Sequence, residues 1–128
     1  MCTNHLGPKQ VATEDIVCYK HIMKQGRKYA TSYQETPIIF RKIITSNIIV
    51  ENEYGETNKR TWINIGLHSY ICQKVAESQA LSLDEVLVKC VIPKGSEYYK
   101  GEFLGDPTYV SNQLIYKKVI KNYNIEES

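Results

Sequence analysis

The alternation of apolar and polar positions predicts a chain built mainly from β-strands. In the segment DIVCYKHIM (15–23) both alternating faces are largely apolar, which is typical of a mostly buried strand. One face carries Ile16, Cys18, Lys20 and Ile22, and the other carries Val17, Tyr19, His21 and Met23. The stretch KQGR then predicts a turn around Gly26, and KYATSY predicts a returning strand, so the two strands should form a hairpin.

Five later stretches continue the strand pattern. They are IIFRKIITSNIIV (38–50), RTWINIG (60–66), VLVKCVIP (86–93), SEYYKGEF (96–103) and the final segment 108–121. VLVKCVIP is a short continuous apolar run, which favours a central strand. The final segment fits either a strand or a helical stripe through Val110, Leu114 and Lys118, and its two-sided alternation favours the strand.

The period changes to a helical one after Gly66. In SYICQKVAESQA the residues Cys72, Ala76 and Ala80 recur at helical spacing, with Ile71 and Val75 beside them. Ser69 is a suitable N-cap, so the sequence predicts one main helix over about 69–80. The predicted fold class is α+β, a mostly antiparallel sheet of six to eight strands with that single helix.

Length predicts the domain organisation. The 128 residues are enough for one domain with its own core, and no repeat or linker interrupts them. We expect a single domain over 1–128. Residues 1–14, which include Gly7-Pro8, should form an irregular arm, and the last residues should form a short polar tail.

Charge and hydropathy indicate which partners and which cellular compartment to expect. Lys and Arg number 16 against 14 Asp and Glu, and this surplus is too small to indicate duplex DNA binding. No apolar run is long enough for a membrane span and no secretory signal is visible, so we expect a cytoplasmic protein with thiols rather than disulfides. Cys18, Cys72 and Cys90 should be small buried apolar residues.

A repeated Cys-x-x-His pattern raises the question of a metal site. Cys2 and His5 form the first pair, and Cys18 and His21 form the second. Residues three apart in a strand point to opposite faces, so Cys18 and His21 should not bind one ion. The sequence therefore predicts neither a metal site nor a cofactor.

Tyrosine is unusually common, with ten Tyr against two Phe and one Trp. Lys and Arg interleave with tyrosine in GRKYATSY, SEYYKGEF and QLIYKKVIKNY, as expected where rings stack on bases and cations meet phosphates. A solvated sheet edge protected by lysine would show the same pattern, so both interpretations stay open. The candidate ligand-binding residues are Arg27, Lys28, Tyr33, His68, Tyr98, Tyr99 and Lys100.

The order of several polar residues resembles the ADP-ribosyltransferase fold. His21 lies on an early strand, TSY (31–33) on the next, GLHSY (66–70) before the predicted helix, and Glu97 after a core strand. The resemblance implies an enzyme acting on NAD with His21, Tyr33 and Glu97 as catalytic residues. His21 would hold the nicotinamide ribose, Tyr33 or Tyr70 would stack on the nicotinamide, and Glu97 would stabilise positive charge at the ribose carbon.

A second resemblance covers most of the chain. EDIVCYKH, TSYQ, GLHSY, KCVIPKGSEYYKGEF and YVSNQLIY are similar to stretches of small uncharacterised accessory domains from phages and gut-type bacteria. The run Ile-Pro-Lys-Gly-Ser-x-Tyr-Tyr-x-Gly is its most specific element. This resemblance implies a compact accessory domain. If the protein comes from a phage, a host-interaction or ligand-sequestering role is expected.

The sequence thus supports three functional hypotheses. The leading one is a small non-catalytic binding protein that recognises a nucleotide-like ligand or a protein partner through a surface rich in Tyr and Lys. The alternative is an ADP-ribosyltransferase-like enzyme acting on NAD, and the third is a structural or oligomerisation module. Neither duplex DNA nor a membrane is an expected partner, and homo-oligomerisation stays open.

Overall fold

The computed structural model describes residues 3–4, 6–25, 28–31, 38–54, 59–79 and 85–122. Twelve strands and one helix occur in this part of the chain. The strands are β1 (Thr3–Asn4), β2 (Gln10–Val11), β3 (Ile16–Gln25), β4 (Lys28–Thr31), β5 (Ile43–Thr45), β6 (Ile49–Tyr54), β7 (Lys59–Ile65), β8 (Leu67–Tyr70), β9 (Glu85–Ile92), β10 (Glu97–Phe103), β11 (Asp106–Ser111) and β12 (Gln113–Asn122). The helix α1 covers Gln73–Ser78.

The predicted α+β class is wrong, because nearly all of the regular structure belongs to one antiparallel sheet. Ten strands follow the order β5-β12-β9-β3-β8-β11-β10-β1-β7-β6, while β2 pairs with β10 and β4 pairs with β3. The prediction of six to eight strands was too low for two reasons. Gly66 divides β7 from β8 and Asn112 divides β11 from β12 within extended segments, and β1 and β2 are too short to show any period. The antiparallel pairing agrees with the prediction.

The centre of the sheet follows from its apolar sequences. VLVKCVIP forms β9, in which every residue from Glu85 to Ile92 except Lys89 is buried. A strand that is apolar on both faces is stable only where both faces are covered, and β9 contributes to the apolar clusters on both sides of the sheet while it pairs with β3 and β12. Its longest register is with β3, from Ile16 opposite Ile92 to Met23 opposite Glu85.

The sheet is curled into a half-barrel, and the chain between β11 and β12 shows why. Only Asn112 separates these strands in sequence, although β9, β3 and β8 lie between them in the sheet. The sheet must therefore bend round until its β11 side approaches the start of β12. Asn112 secures this corner, since its side-chain Oδ1 accepts from the Glu97 amide at 2.9 Å and its own amide donates to the Glu97 carbonyl at 3.0 Å.

A second corner lies at Gly66, between β7 and β8. The Gly66 φ of 153° is unfavourable for residues with a side chain. A Cβ at this position would also overlap the Val110 side chain. Glycine is therefore required for β7 and β8 to follow one another while each joins a different part of the sheet.

Curling gives the sheet two unlike faces. The concave face carries the larger apolar cluster, which includes Cys18, Ile22, Val86, Val88, Cys90, Tyr98, Tyr109, Leu114 and Tyr116. The opposite face carries a smaller cluster of Tyr70, Ala76 and Leu87, with Tyr19, Val75 and Ile120 packed against it. We call these the concave face and the helix face, because α1 covers the second.

The helix is much shorter than predicted. It runs from Gln73 to Ser78, with Cys72 as N-cap and no side-chain capping bond. Ser69 is not an N-cap, because Leu67–Tyr70 is a strand paired with β11 from Thr108 to Ser111. The helical spacing of Cys72 and Ala76 agrees with the observed helix. The helix begins about one turn later than predicted, because the residues before it pair as a strand.

Several strand predictions are confirmed. The hairpin forms between β3 and β4, with Gln25 opposite Lys28. The final segment is extended, as β11 and β12, rather than helical. The predicted irregular arm contains the two-residue strands β1 and β2, which pair with β10. Among the described residues, no helix is long and apolar enough to cross a membrane.

Candidate functional site

Lys20 occupies a core position on the concave face. It lies opposite Val88, and its neighbours on the same face of β3 are Cys18 and Ile22. All three of these neighbours are fully buried. Lysine is rarely placed among such residues unless it is paired, so Lys20 is an unusual residue at a core position.

One edge of β3 changes its strand partner beside Lys20. One edge of β3 pairs with β8 at Tyr19, opposite Tyr70, and then with β4 from Ile22 onward, opposite Thr31. Lys20 and His21 lie at the point where β8 and β4 diverge. This divergence explains why Lys20 is only partly buried although its apolar neighbours are fully buried.

The electrostatics of Lys20 are those of a poorly compensated cation. Burial lowers the pKa of its ammonium group, and the thiols of Cys90 and Cys18 oppose this shift. Within the described part of the chain, no carboxylate forms an ion pair with Lys20. A buried charge is costly without a partner, so an anion that reached Lys20 would be stabilised.

Three more polar side chains continue from Lys20 across the sheet. Since Tyr19 lies opposite Tyr70, Lys20 on β3 is level with Ser69 on β8. The register then runs from Ser69 to Tyr109 on β11 and from Tyr109 to Lys100 on β10. Residues opposite one another share a face, so these four side chains form a row on the concave face. We call Lys20, Ser69, Tyr109 and Lys100 the polar row.

The middle of the polar row contains an underused hydroxyl group. Ser69 is fully buried, and its hydroxyl lowers the pKa of the Cys18 thiol by interacting with it. Apart from that thiol, no described residue gives the Ser69 hydroxyl a hydrogen bond of normal geometry. Buried hydroxyl groups are nearly always satisfied, so the Ser69 hydroxyl is an exception among the described residues.

Tyrosine rings support the outer end of the polar row. The Tyr98 and Tyr109 rings meet edge to face, with centroids 5.7 Å apart. The Tyr98 hydroxyl donates to Gln10 Oε1 at 3.0 Å, which fixes this pair. The Lys100 Nζ lies 6.0 Å from the Tyr109 ring centroid, and Lys100 itself is exposed. A deep lysine and an exposed lysine thus stand at opposite ends of the polar row.

His68 lies on the helix face and not with the polar row. The His68 side chain lies on the same side of β8 as that of Tyr70, and it is buried. Its Nε2 is 3.0 Å from the Ile63 carbonyl oxygen and its Nδ1 is 3.2 Å from that of Gly66. Burial lowers the pKa of His68 to about 4, although the two carbonyls oppose this shift. The ring is therefore neutral at neutral pH, so one of its two nitrogens carries a proton and donates to a backbone carbonyl.

His21 also lies on the helix face. Its Nε2 donates to the Ala76 carbonyl oxygen, and its ring meets the Tyr70 ring at a centroid distance of 6.3 Å. This contact attaches α1 to the sheet. His21 thus has a structural task on the face opposite to Lys20.

The residues named for the enzyme hypothesis do not adjoin. His21 is on β3 and Glu97 is on β10, with β8 and β11 between them. Three strand spacings separate them by roughly 14 Å across the sheet. Glu97 instead forms an ion pair with Lys9, at 2.8 Å. Tyr33 lies outside the described residues.

The predicted ligand-binding residues divide between the two faces. Tyr98 and Lys100 lie on the concave face with the polar row, whereas Tyr99 lies opposite Val110 on the other side of β10. Lys28 is the first residue of β4, opposite Gln25. Arg27 and Tyr33 lie outside the described residues. Of the predicted residues that the structure describes, only Tyr98 and Lys100 join the candidate site.

The cysteines and histidines do not form a metal cluster in the described residues. Cys18 belongs to the concave-face core and His21 contacts the helix, so the two point to opposite faces as predicted. Cys2 and His5 lie outside the described residues. Cys18, Cys72 and Cys90 are free thiols, as expected, but Cys72 is exposed at the start of α1, so its predicted burial is wrong.

A second concavity lies between β5 and β12. This open groove of about 430 Å³ is lined by Thr45, Ser46, Asn47, Asn112 and Gln113. Its lining offers hydroxyl and amide groups without a charged side chain. It suits an anion less well than the polar row does.

Three residues of the polar row were missed by the sequence prediction. The missed residues are Lys20, Ser69 and Tyr109. A signal for Lys20 was present, since it shares its alternating face with Ile16, Cys18 and Ile22, and a lysine at a core position indicates function or a partner. Ser69 was hidden by the predicted helix, and Tyr109 by the ambiguity of the final segment.

Comparison with known proteins provides no relative, because no family model, curated protein or solved structure matches the chain. The two resemblances stated above therefore stay predictions.

Proposed function

We propose that the protein is a small non-catalytic binding protein that holds a nucleotide-like anion on its concave face. The observation that carries this proposal is Lys20, a lysine in the core that no described carboxylate pairs with. An ionisable group whose pKa is shifted by burial in a concavity indicates a functional site. An anionic group beside Lys20 would form the ion pair that no described carboxylate forms with it.

The spacing of the polar row suits a ligand with an extended polar part. Lys20 and Lys100 are separated by two strands, so their backbones lie roughly 14 Å apart across the sheet. Side chains on a concave face converge, and the two ammonium groups can approach a phosphate chain from both ends. The hydroxyl groups of Ser69 and Tyr109 lie between them and can donate to phosphate oxygens.

Aromatic residues at the outer end support the nucleotide-like class. Tyr98 and Tyr109 stand beside Lys100, the exposed end of the polar row. A base or another planar group that extends from the phosphates would meet these rings, and such contacts contribute about 1–3 kcal/mol per base. A protein partner with an acidic side chain is the less favoured occupant, because Lys20 is partly buried among core residues.

Binding without chemistry agrees best with the geometry. The separation of His21 and Glu97, and the partners that each already has, supports this choice over an enzyme acting on NAD. The proposed setting is cytoplasmic, where nucleotides are abundant and thiols stay reduced. In a phage setting the protein would sequester its ligand.

Titration calorimetry with ADP, cyclic dinucleotides and inorganic phosphate tests the proposal. We expect stoichiometric binding of at least one nucleotide, and a 10- to 100-fold weaker affinity (roughly) in Lys20→Met, which loses a charge-assisted contact. Lys100→Met should weaken binding less, because this lysine is exposed.

Lys89→Met is the matched control. Lys89 lies on the neighbouring strand β9 opposite Tyr19, so it faces away from the polar row. It should bind like the unchanged protein. Absence of heat with every nucleotide, or equal weakening in Lys20→Met and Lys89→Met, would contradict the proposal. A response only to acidic peptides would replace the nucleotide with a protein partner.

A further inference from the structure

Two cysteines face each other at the centre of the concave face. Cys18 on β3 lies directly opposite Cys90 on β9 in an antiparallel register. Both are free thiols, and both are fully buried in the same apolar cluster. The proposed nucleotide contacts do not use this pair, although the Cys18 thiol interacts with the Ser69 hydroxyl.

The register places the pair within reach of a disulfide bond. Directly opposite residues of antiparallel strands have Cα atoms about 4.5 or 5.5 Å apart, and both values lie inside the range of about 4.4–6.8 Å that disulfides span. Opposite side chains also share a face, so the two sulfur atoms project to the same side. The strands need not shift for the bond to form.

The surroundings make the thiols unreactive until the sheet opens locally. Burial raises the pKa of Cys18 to about 11, and burial together with the Cys18 charge raises that of Cys90 well above its usual value. Thiolates are the attacking species, so oxidation of this pair should be slow. The exposed Cys72 will react sooner, but no described thiol lies opposite it.

We propose that Cys18 and Cys90 are a modification site, forming a reversible disulfide when the chain meets a low-molecular-weight disulfide such as oxidised glutathione. One cysteine thiolate attacks the glutathione disulfide, forms a mixed disulfide and releases one glutathione thiolate. The second cysteine then attacks the protein sulfur of the mixed disulfide and releases the second glutathione. Two thiol protons and two electrons leave the protein and reappear in two reduced glutathione molecules.

The closing step is favoured by the fold. After the first attack, the second sulfur is held opposite the mixed disulfide by the register, so its effective concentration is high. The bond closes a loop over more than half of the chain, which restricts the unfolded state strongly. The core also has no room for a glutathione adduct, so the cross-linked form is preferred to the mixed disulfide.

The test uses the full chain with Cys2→Ser and Cys72→Ser, which leaves only the pair. After incubation with oxidised glutathione, blocking of free thiols, digestion and mass spectrometry, we expect a peptide that links Cys18 to Cys90. The intact protein should lose two hydrogens and both alkylatable thiols, and reductant should restore them. The cross-linked form should also melt at least about 5 °C higher.

Matched variants make the outcome decisive. Cys90→Ala and Cys18→Ala, each checked for folding by circular dichroism, should take up at most one glutathione and show no cross-link within a chain. Two alkylatable thiols after exhaustive oxidation would overturn the proposal. So would stable mixed disulfides on both cysteines, or links between chains only. None of these results depends on whether a nucleotide binds.

Discussion

The two faces of the curled sheet differ in how several of their buried polar groups are paired. On the helix face, His68 meets the carbonyls of Ile63 and Gly66, His21 donates to Ala76, and Thr3 and Thr108 share a hydrogen bond of 3.0 Å. On the concave face, Lys20 has no described carboxylate beside it and Ser69 has only a thiol. Hydrogen bonds to the backbone indicate a structural role for a buried polar side chain. We infer that Lys20 and Ser69, which have few protein partners, serve a ligand.

This difference explains why histidine misled the sequence prediction and lysine did not attract attention. His21 and His68 are the residue type most often found in catalysis, yet in this fold they hold elements together. Lys20 has an ordinary residue type in an unusual place. Location relative to the sheet, rather than residue type, separates the two roles.

The largest expected effect is on the helix face. His68→Ala removes the contacts to Ile63 and Gly66 and leaves a cavity beneath β8, so the free energy of unfolding should fall by about 3 kcal/mol. Urea denaturation followed by circular dichroism measures this change. A loss below about 0.5 kcal/mol would show that His68 is not structural, and the comparison between faces would fail.

Acid should lower the stability of the fold through His68. The folded-state pKa of His68 is about 4, below the ordinary value of about 6.5, so between these pH values the unfolded chain binds a proton that the folded chain does not. Stability from this group is complete above pH 6.5 and falls by up to about 3 kcal/mol as the pH drops to 4.

Denaturation at several pH values tests the acid effect, with His68→Gln as control. Glutamine keeps a donor and cannot titrate, so the variant should lose less stability than the unchanged protein over this interval. Parallel pH profiles of the two proteins would assign the acid sensitivity to other groups.

The hydroxyl pair on the helix face should give a smaller effect. Thr108→Val keeps the shape of the side chain but leaves the buried Thr3 hydroxyl without its partner, which costs about 1–2 kcal/mol. The double variant Thr3→Val/Thr108→Val should recover part of that loss, because both polar groups are then gone. Additive losses in the double-mutant cycle would mean that the two hydroxyls do not interact.

The smallest change has the opposite sign. Lys20→Met replaces a partly buried cation by an apolar side chain of similar length, so the unfolding free energy should rise by about 1 kcal/mol while ligand binding weakens. Lys100→Met should leave stability within about 0.5 kcal/mol, because Lys100 is exposed. Clear destabilisation by Lys20→Met would mean that the fold already provides its partner, and Lys20 would be structural.

Sequence patterns predicted the parts of the fold that local alternation determines. The strand at 15–23, the hairpin after it, the central strand 86–93 and the extended character of 108–121 all occur. Alternation could not show the curl, since the corners depend on Gly66 and Asn112 contacting residues far away in sequence. It could not separate helix from strand at Ser69 either, because that strand is fixed by its pairing with β11.

The candidate site was predicted only in part for the same reason. Tyr98 and Lys100 stood out as aromatic and basic neighbours. Lys20, Ser69 and Tyr109 come from three separate segments, and only the strand order β3-β8-β11-β10 brings them into one row with Lys100. A single sequence does not specify that order.

The central claim is that Lys20 is a suppressed cation that awaits an anion, and its own titration tests this most directly. Lysine side-chain resonances, assigned with Lys20→Met, should be followed by NMR across alkaline pH with and without a saturating nucleotide. We predict a pKa for Lys20 below the ordinary lysine value in the free protein and an upward shift when the nucleotide binds. An ordinary lysine pKa that stays unchanged with ligand present would contradict the account.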